Sequence, residues 1–440
     1  EAEEKTKEGI AKEKVQLVLG DYTSEKYTIG RTLEEYLNEQ KEKGNLDEVT
    51  KNEDETITIE VEGYEITIKE DLSIIKAEKK NGVKITMPEI EVAEAFSRAI
   101  GVIDIIWLNE NNTVRTESQG PLSPAKHLGG LTPIKYSGTT EVEVTDPIND
   151  TSWYDYVAQT GTNDGKTSNW ANARSSDKNA YFVWIPRYAY KITYFDTIAN
   201  ANAYRVDNTS KTGIIGYSNI HGMVDVSTET EKLVKGSKPI NVTGRVKASQ
   251  YADYIPHPAF EFGGSKAGIW AGKFESSGTT SAVKIKPNVA SLRDKTLSDM
   301  FTACQGVKTT YGLTGDSHMM KNTEWGAVAY LAESKYGRNG AEVTINGNRS
   351  FYTGGGSYTS NKLQSTTGNI YGIYDMSGGS WEYVASYINE DEAISYYEEY
   401  LTDMLNAVKK NSKYADVYPV LPGATSKYSY SKVIKGDAVF

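Results

Sequence analysis

The chain has 440 residues, and at roughly 150 residues per domain that length suggests two or three domains, with 38% hydrophobic residues as material for ordinary cores. Its net charge of −11 is unevenly held: residues 1–100 carry 25 Asp and Glu against 15 Lys and Arg, a balance of −10, and the other 340 residues carry 34 against 33, a balance of −1. Neither part has the basic excess of a nucleic-acid-binding surface, and the single cysteine, Cys304, excludes a disulfide framework within the chain and any site built on several thiolates.

Residues 1–20 read as a helix with acidic residues early, Ala11, Val15, Val18 and Leu19 on one face, and Gly20 at its end. A second helix is expected over Thr32–Lys43, with Leu33, Tyr36 and Leu37 facing a core and Gly44 as its stop. Thr56–Val61 and Tyr64–Ile68 alternate with period two around Glu62-Gly63, the pattern of a β-hairpin. This acidic helix and hairpin unit is expected to span residues 1–90. Ala99–Arg115 reads as another strand pair turning at Asn109–Asn112, followed by a connector at Gly120–Pro133, so residues 91–130 are read as strand pair and linker. The run Ala99–Leu108 is also the longest apolar stretch; interrupted by Asp104, it falls short of the about 20 residues that span a membrane.

From residue 131 to 440 short strands and glycine-rich loops alternate with two expected helices, Ser291–Gln305 and Asp391–Lys410. The fold class is therefore α+β. Of 31 tyrosines only Tyr22, Tyr27, Tyr36 and Tyr64 precede residue 100. Tyrosine gives a large contact area and an aimed hydroxyl at low entropy cost, which suits binding surfaces, and it also suits half-buried strands. His127, His221, His257 and His318 have no ligand-like spacing, so no metal site is expected. His257, between Pro256 and Pro258, reads as a rigid, hydrogen-bonded turn residue; Arg187, following Pro186 among Tyr181, Tyr188 and Tyr190, as a cation–π anchor; Gly354–Gly356 as a loop without phosphate-binding spacing; and Cys304 as a small buried hydrophobe.

The segment Gly368–Val384 (GNIYGIYDMSGGSWEYV) resembles the signature of the formylglycine-generating-enzyme-like family within the C-type lectin fold, matching it at Asn369, Gly372, Tyr374, Asp375, Met376, Gly378, Trp381 and Glu382. Lys321–Ala332 (KNTEWGAVAYLA) is similar to the helix that precedes that signature in the family, with Thr323, Glu324, Trp325, Ala327 and Ala329 in register. Trp325 and Trp381 are expected to pin loops, and Asp375 and Glu382 to accept from backbone N–H groups of the turns at Gly372, Gly378 and Gly379; calcium-ligand and acid/base roles for these carboxylates are the alternatives. The structural motif is thus Trp325, Asn369, Asp375, Trp381 and Glu382. The resemblance implies no required cofactor, although structural calcium on oxygens around Asn369–Asp375 is compatible with it. The family's oxidase activity uses two cysteines, and a chain with Cys304 alone does not carry that activity over.

Further segments, Ser152–Tyr156 (SWYDY), Trp170–Ala173 (WANA), Tyr181–Tyr190 (YFVWIPRYAY), Tyr254–Phe260 (YIPHPAF) and Gly268–Glu275 (GIWAGKFE), resemble surface proteins of gut and anaerobic Gram-positive bacteria in which a lectin-like domain follows a type IV pilin-like segment. That resemblance implies that residues 1–90 form a pilin-like attachment domain lacking the hydrophobic first half of the pilin helix, and that residues 131–440 form a lectin-like domain with long loops and two main helices. It makes membrane contact an expectation only through a helix preceding Glu1. Lys435–Phe440 (KGDAVF) comes without the family's closing strands. Tyr352, Tyr358, Tyr414, Tyr418, Tyr428 and Tyr430 are the candidate ligand-binding residues, with packing against the fold as the competing role. The expected function is an extracellular, pilin-associated adhesin that binds a protein or glycan without chemical turnover, with pilus or filament subunits as further partners. The alternatives are a structural filament subunit decorated by the lectin-like domain, and a hydrolase using paired carboxylates, although no such pair stands out in the sequence.

Overall fold

A computed structural model of the chain describes residues 11, 15, 18–19, 32–61, 64–69, 72–79, 100–161, 165–219, 222–226, 232–233, 244–389 and 412–419. It divides into two compact units, Glu1–Glu91 and Val92–Phe440. Its described elements are mixed α and β, with four α-helices and mostly antiparallel sheets.

In the first unit, helix α1 (Leu33–Glu42) starts at Thr32, whose side chain accepts from the Glu35 N–H while the Glu35 carboxylate accepts from the Thr32 N–H. This reciprocal cap satisfies two donors that the helix itself leaves open. Leu33, Tyr36 and Leu37 are buried on one stripe. The sheet is an antiparallel meander of β1 (Glu48–Lys51), β2 (Ile57–Val61), β3 (Tyr64–Ile68) and β4 (Ile74–Lys79). Alternation in β2 and β3 sends Ile57, Ile59, Val61, Tyr64, Ile66 and Ile68 into the core. The expected hairpin is present in register, Val61 opposite Tyr64 and Ile57 opposite Ile68, and β1 and β4, which sequence reading did not mark, extend it on both sides. Ala11, Val15, Val18 and Leu19 are helical and buried in the same cluster; the rest of the expected first helix lies outside the described residues.

The second unit is organised by one long extended run. Strands β9 (Tyr181–Pro186) and β10 (Tyr188–Phe195) are separated only by Arg187, and the chain passes there from one sheet to another. On one side, β15 (Gly268–Gly272), β9, β8 (Asn172–Arg174), β6 (Thr132–Ser137) and β7 (Thr140–Glu143) form a five-stranded sheet in that order. On the other side, β10 pairs along its whole length with β5 (Ile100–Trp107). Its second edge is shared by β14 (Ile255–Pro256) and β11 (Ile214–Asn219), and β12 (Gly222–Asp225) and β13 (Lys232–Leu233) continue beyond β11. Arg187 is fully buried at the crossing. Its guanidinium donates to the Phe260 carbonyl at 3.0 Å and to Asn112, and pairs with Glu261. It is a hydrogen-bonded node rather than the expected cation–π anchor, because a buried guanidinium needs acceptors for its donors before it needs a ring.

Other expectations shift. The strand pair over Ala99–Arg115 keeps its turn, with Asn112 at φ +64°, but its return arm pairs only through the bridge Leu108–Val114 and the Arg115 N–H on the Trp107 carbonyl, while β10 takes an edge of β5 along its whole length. The helix expected at Ser291–Gln305 is α3 (Leu297–Thr310). Thr296 caps it through the Asp299 N–H, while Ser291 is held in extended pairing with Ser277. Helix α2 (Ile198–Val206) was not anticipated, and the segment Lys321–Ala332 does form a helix, α4 (Asn322–Glu333). The expected helix Asp391–Lys410 lies outside the described residues. The parallel pair β18 (Ser386–Asn389) and β19 (Asp416–Pro419) packs its ends against the start of α4, where the Asp416 carboxylate accepts from the Thr323 N–H at 2.8 Å.

Candidate functional site

The signature segment is held by an ammonium. Lys273, directly after β15, is fully buried, and its Nζ donates to Asn172 Oδ1 at 2.7 Å, to the Gly372 carbonyl at 3.1 Å and to the Ile370 carbonyl. Burial pushes its pKa well below the usual lysine range. Three acceptors, however, take three N–H bonds, which only the charged form has, and the rings of Tyr136, Phe274 and Tyr374 lie 5.6–5.9 Å from Nζ. The carbonyl oxygens of the loop that were candidate calcium ligands therefore serve a side chain of the protein itself. Asn369 is likewise engaged: its amide donates to the Ser168 carbonyl at 2.9 Å and its oxygen accepts from the Tyr371 N–H at 2.8 Å. Among the described residues there is no cluster of three or more His, Cys, Asp or Glu that could hold a metal ion.

Asp375 sits at φ +67° and is buried. It accepts from Asn346 Nδ2 at 2.9 Å and from the Gly354 N–H at 2.9 Å. Its expected donors were the turns at Gly372, Gly378 and Gly379; the donor is instead the Gly354–Gly356 loop. Gly378 and Gly379 have a different task. A Cβ at Gly378 would stand 2.6 Å from the backbone of Asn346, and one at Gly379 would stand 2.5 Å from Glu275 Oε1, both at positive φ. This close approach lets the Ser380 N–H reach Glu275 at 2.8 Å.

Glu275, two residues past Lys273, and Glu382, at the end of the signature, line the same cavity of about 770 Å³. Ser291 Oγ touches Glu275 and also the Phe351 carbonyl at 2.9 Å. The Ser291 hydroxyl donates to the Glu275 carboxylate, a bond that favours the charged form. Burial pushes Glu275 up to about 7, against the pull of Ser291 and the Ser380 N–H and with repulsion from Asp375. Glu382 accepts from Trp325 Nε1 at 2.7 Å. Although Glu382 is solvent-accessible, protein crowded around it on the cavity wall desolvates the carboxylate. It too is pushed up to about 7, with Glu275 and Asp375 adding repulsion.

The lining includes the apolar and aromatic side chains Trp270, Met300, Val307, Met319 and Trp325 and the charged Glu110, Lys266, Asp316, Glu324 and Lys413. Trp381 also borders the cavity and is 91% exposed; it does not pin a loop as expected, because Trp325 from α4 supplies the indole that meets Glu382. A scan of family models and a search of curated proteins find no match for this chain.

The candidate tyrosines are dispersed. Tyr352 is exposed. The Tyr358 ring packs edge-on against Phe274 and Tyr374 at 5.3 and 5.7 Å, and the Tyr414 ring lies 5.9 Å from that of His318. None of the three lines the cavity. Tyr418 lies in β19, its side chain outside the described residues, as are Tyr428 and Tyr430. Sequence reading missed Glu275 as a site residue although it lay within a recognised segment; the only signal was its place two residues beyond a lysine in a strand, where burial of both charges is not visible. His257 is a buried turn residue as read, its Nδ1 accepting from the Ala259 N–H at 3.3 Å and burial pushing its pKa down to about 3. Burial likewise pushes the Cys304 thiol up to about 11, that of an unreactive thiol.

Proposed function

We propose that the chain is an extracellular adhesin or ligand-binding protein whose second unit, of lectin-like type, recognises a protein or glycan, with the acidic first unit serving attachment to a pilus or filament. The observation that carries this is the cavity at which Trp325, Trp381 and Glu382 meet. These three residues belong to the segments that resemble the formylglycine-generating-enzyme-like family. A concave, largely apolar site with a few polar groups is the usual form of a ligand site, and an exposed indole at its edge, together with exposed Tyr383 on the lining, gives stacking area at low entropy cost. No turnover is proposed: the chain has Cys304 alone, without the cysteine pair that the resembled family's oxidase chemistry uses.

The purified chain is expected to capture partners on glycan or protein arrays. Trp381→Ala should weaken that capture about tenfold or more, the scale of an exposed aromatic anchor, and leave the melting temperature unchanged. Silence of the wild-type chain on both arrays would overturn the reading. Hydrolysis of glycoside substrates that Glu382→Gln abolishes would make the protein an enzyme instead.

A further inference from the structure

We propose that the cavity receives an alkylammonium group, the side chain of a lysine on a partner protein, with Glu275 and Glu382 as its paired anions and Trp325 against its stem. This rests on the recognition reading above and adds the chemistry that is recognised. It starts from charge. Glu275, Glu382 and Asp375 repel one another, and among the described residues none of them pairs with a lysine or arginine. Of the nearby lysines, Lys413, which lines the cavity, pairs with Asp316 at 2.8 Å, Lys321 pairs with Asp416 at 3.7 Å, and Lys266, also on the lining, reaches the Gly263 carbonyl at 3.4 Å and the Phe262 ring. Carboxylates held partly out of water without a counter-ion are costly, and a bound cation offsets both the desolvation and the mutual repulsion.

The walls decide which cation. Met300, Val307 and Met319 match a chain of methylenes, which an alkylammonium carries and an inorganic cation does not. Trp325 is fixed by its bond to Glu382, so an indole stands beside the anion that the ammonium would seek, an arrangement that favours organic cations. On the same wall the buried Ser380 hydroxyl has no partner among the described residues. An ammonium carries three donors, and Glu275, Glu382 and Ser380 supply three acceptors.

The test titrates the full chain, in slightly alkaline buffer, with Nα-acetyl-lysine methylamide, read by tryptophan fluorescence and calorimetry. The Nα,Nε-diacetyl analogue and glucosamine serve as comparison probes. Saturable binding of the lysine probe is expected, at least about tenfold tighter than that of the neutral analogue, and the Glu275→Gln/Glu382→Gln variant should lose it. The comparison of probes on wild-type protein needs no variant, so a variant that fails to fold does not blunt the test. Equal binding of the neutral analogue, preference for glucosamine, or no saturation by the lysine probe would overturn the proposal. Array capture that persists in the double variant would also overturn it while leaving recognition standing. Binding of the lysine probe by a chain that captures nothing on the arrays would support it and remove the adhesin reading.

Discussion

Glu275 shows how one residue ties the site to stability. Its two oxygens meet the Ser380 N–H and the Ser291 hydroxyl, and burial holds its carboxyl up at about 7, above the value near 4.3 of an unfolded chain. A raised carboxyl binds its proton more tightly in the folded state, so stability falls as pH rises between those two values and levels off above the folded one. Glu275→Gln copies the protonated form, its oxygen accepting from Ser380 and its amide donating to Ser291. The variant should melt a few degrees above wild type in mildly alkaline buffer and together with it near pH 4. Thermal melts across the range check this; parallel curves for the two proteins would show that Glu275 ionises freely. Neither the cavity shared with Glu382 nor the raised pKa is written in the GIWAGKFE segment, because Glu275 and Glu382 lie more than 100 positions apart in the sequence and line one cavity only in the folded chain.

At the scale of elements, α4 carries the indole of the site and depends on a distant carboxylate for its start. Asp416 accepts from the Thr323 N–H and from the Thr323 hydroxyl at 3.2 Å, near the positive end of the helix dipole. Glu324, in the same turn, accepts from the Lys321 N–H at 2.9 Å and meets His318 Nε2 at 3.0 Å. Burial opposes ionisation of Glu324, yet His318, followed by Lys321, outweighs it and holds the carboxyl below its usual range. Asp416→Ala should cost about 1 kcal/mol, within the usual range for a lost helix cap, and hydrogen exchange should rise first in the turn holding Thr323 and Trp325. Unchanged exchange there would place the cap elsewhere. Helix α1 and the β2–β3 hairpin were legible because caps, periodicity and turn residues are local, whereas the helix over KNTEWGAVAYLA was expected only through its family resemblance, its cap being the distant Asp416. The start of α3 was misread by six residues for the converse reason: Ser291 spends its backbone on the Phe351 carbonyl, a partner 60 positions away. The full-length pairing of β5 with β10 is long-range in the same sense, and nothing local in Ala99–Arg115 announces it.

For the whole molecule, the division of charge acquires a location. In the first unit, Glu48 faces Glu60, Glu60 faces Glu65 and Glu65 faces Glu78, so one row of opposed positions across all four strands is glutamate. Like charges directly opposite each other weaken a sheet by amounts of order 0.2–1 kcal/mol per pair. Pairs such as Lys41 with Glu48 and Lys51 with Glu34 relieve the acidic surface only weakly, since exposed ion pairs contribute little. The second unit, built from a part of the chain with a balance near −1, has its own cores around Trp170, Tyr188 and Tyr190 and no comparable ladder in the described sheets. Two calorimetric transitions are therefore expected, of which only the one belonging to the first unit should rise as salt is added, because screening acts on exposed like charges. Glu65→Lys places a cation between Glu60 and Glu78. It should raise that transition by an amount corresponding to about 1 kcal/mol and remove most of its salt dependence, leaving the other transition where it was. A single transition, or one whose salt dependence survives the substitution, would mean that the glutamate row does not set the stability of this unit.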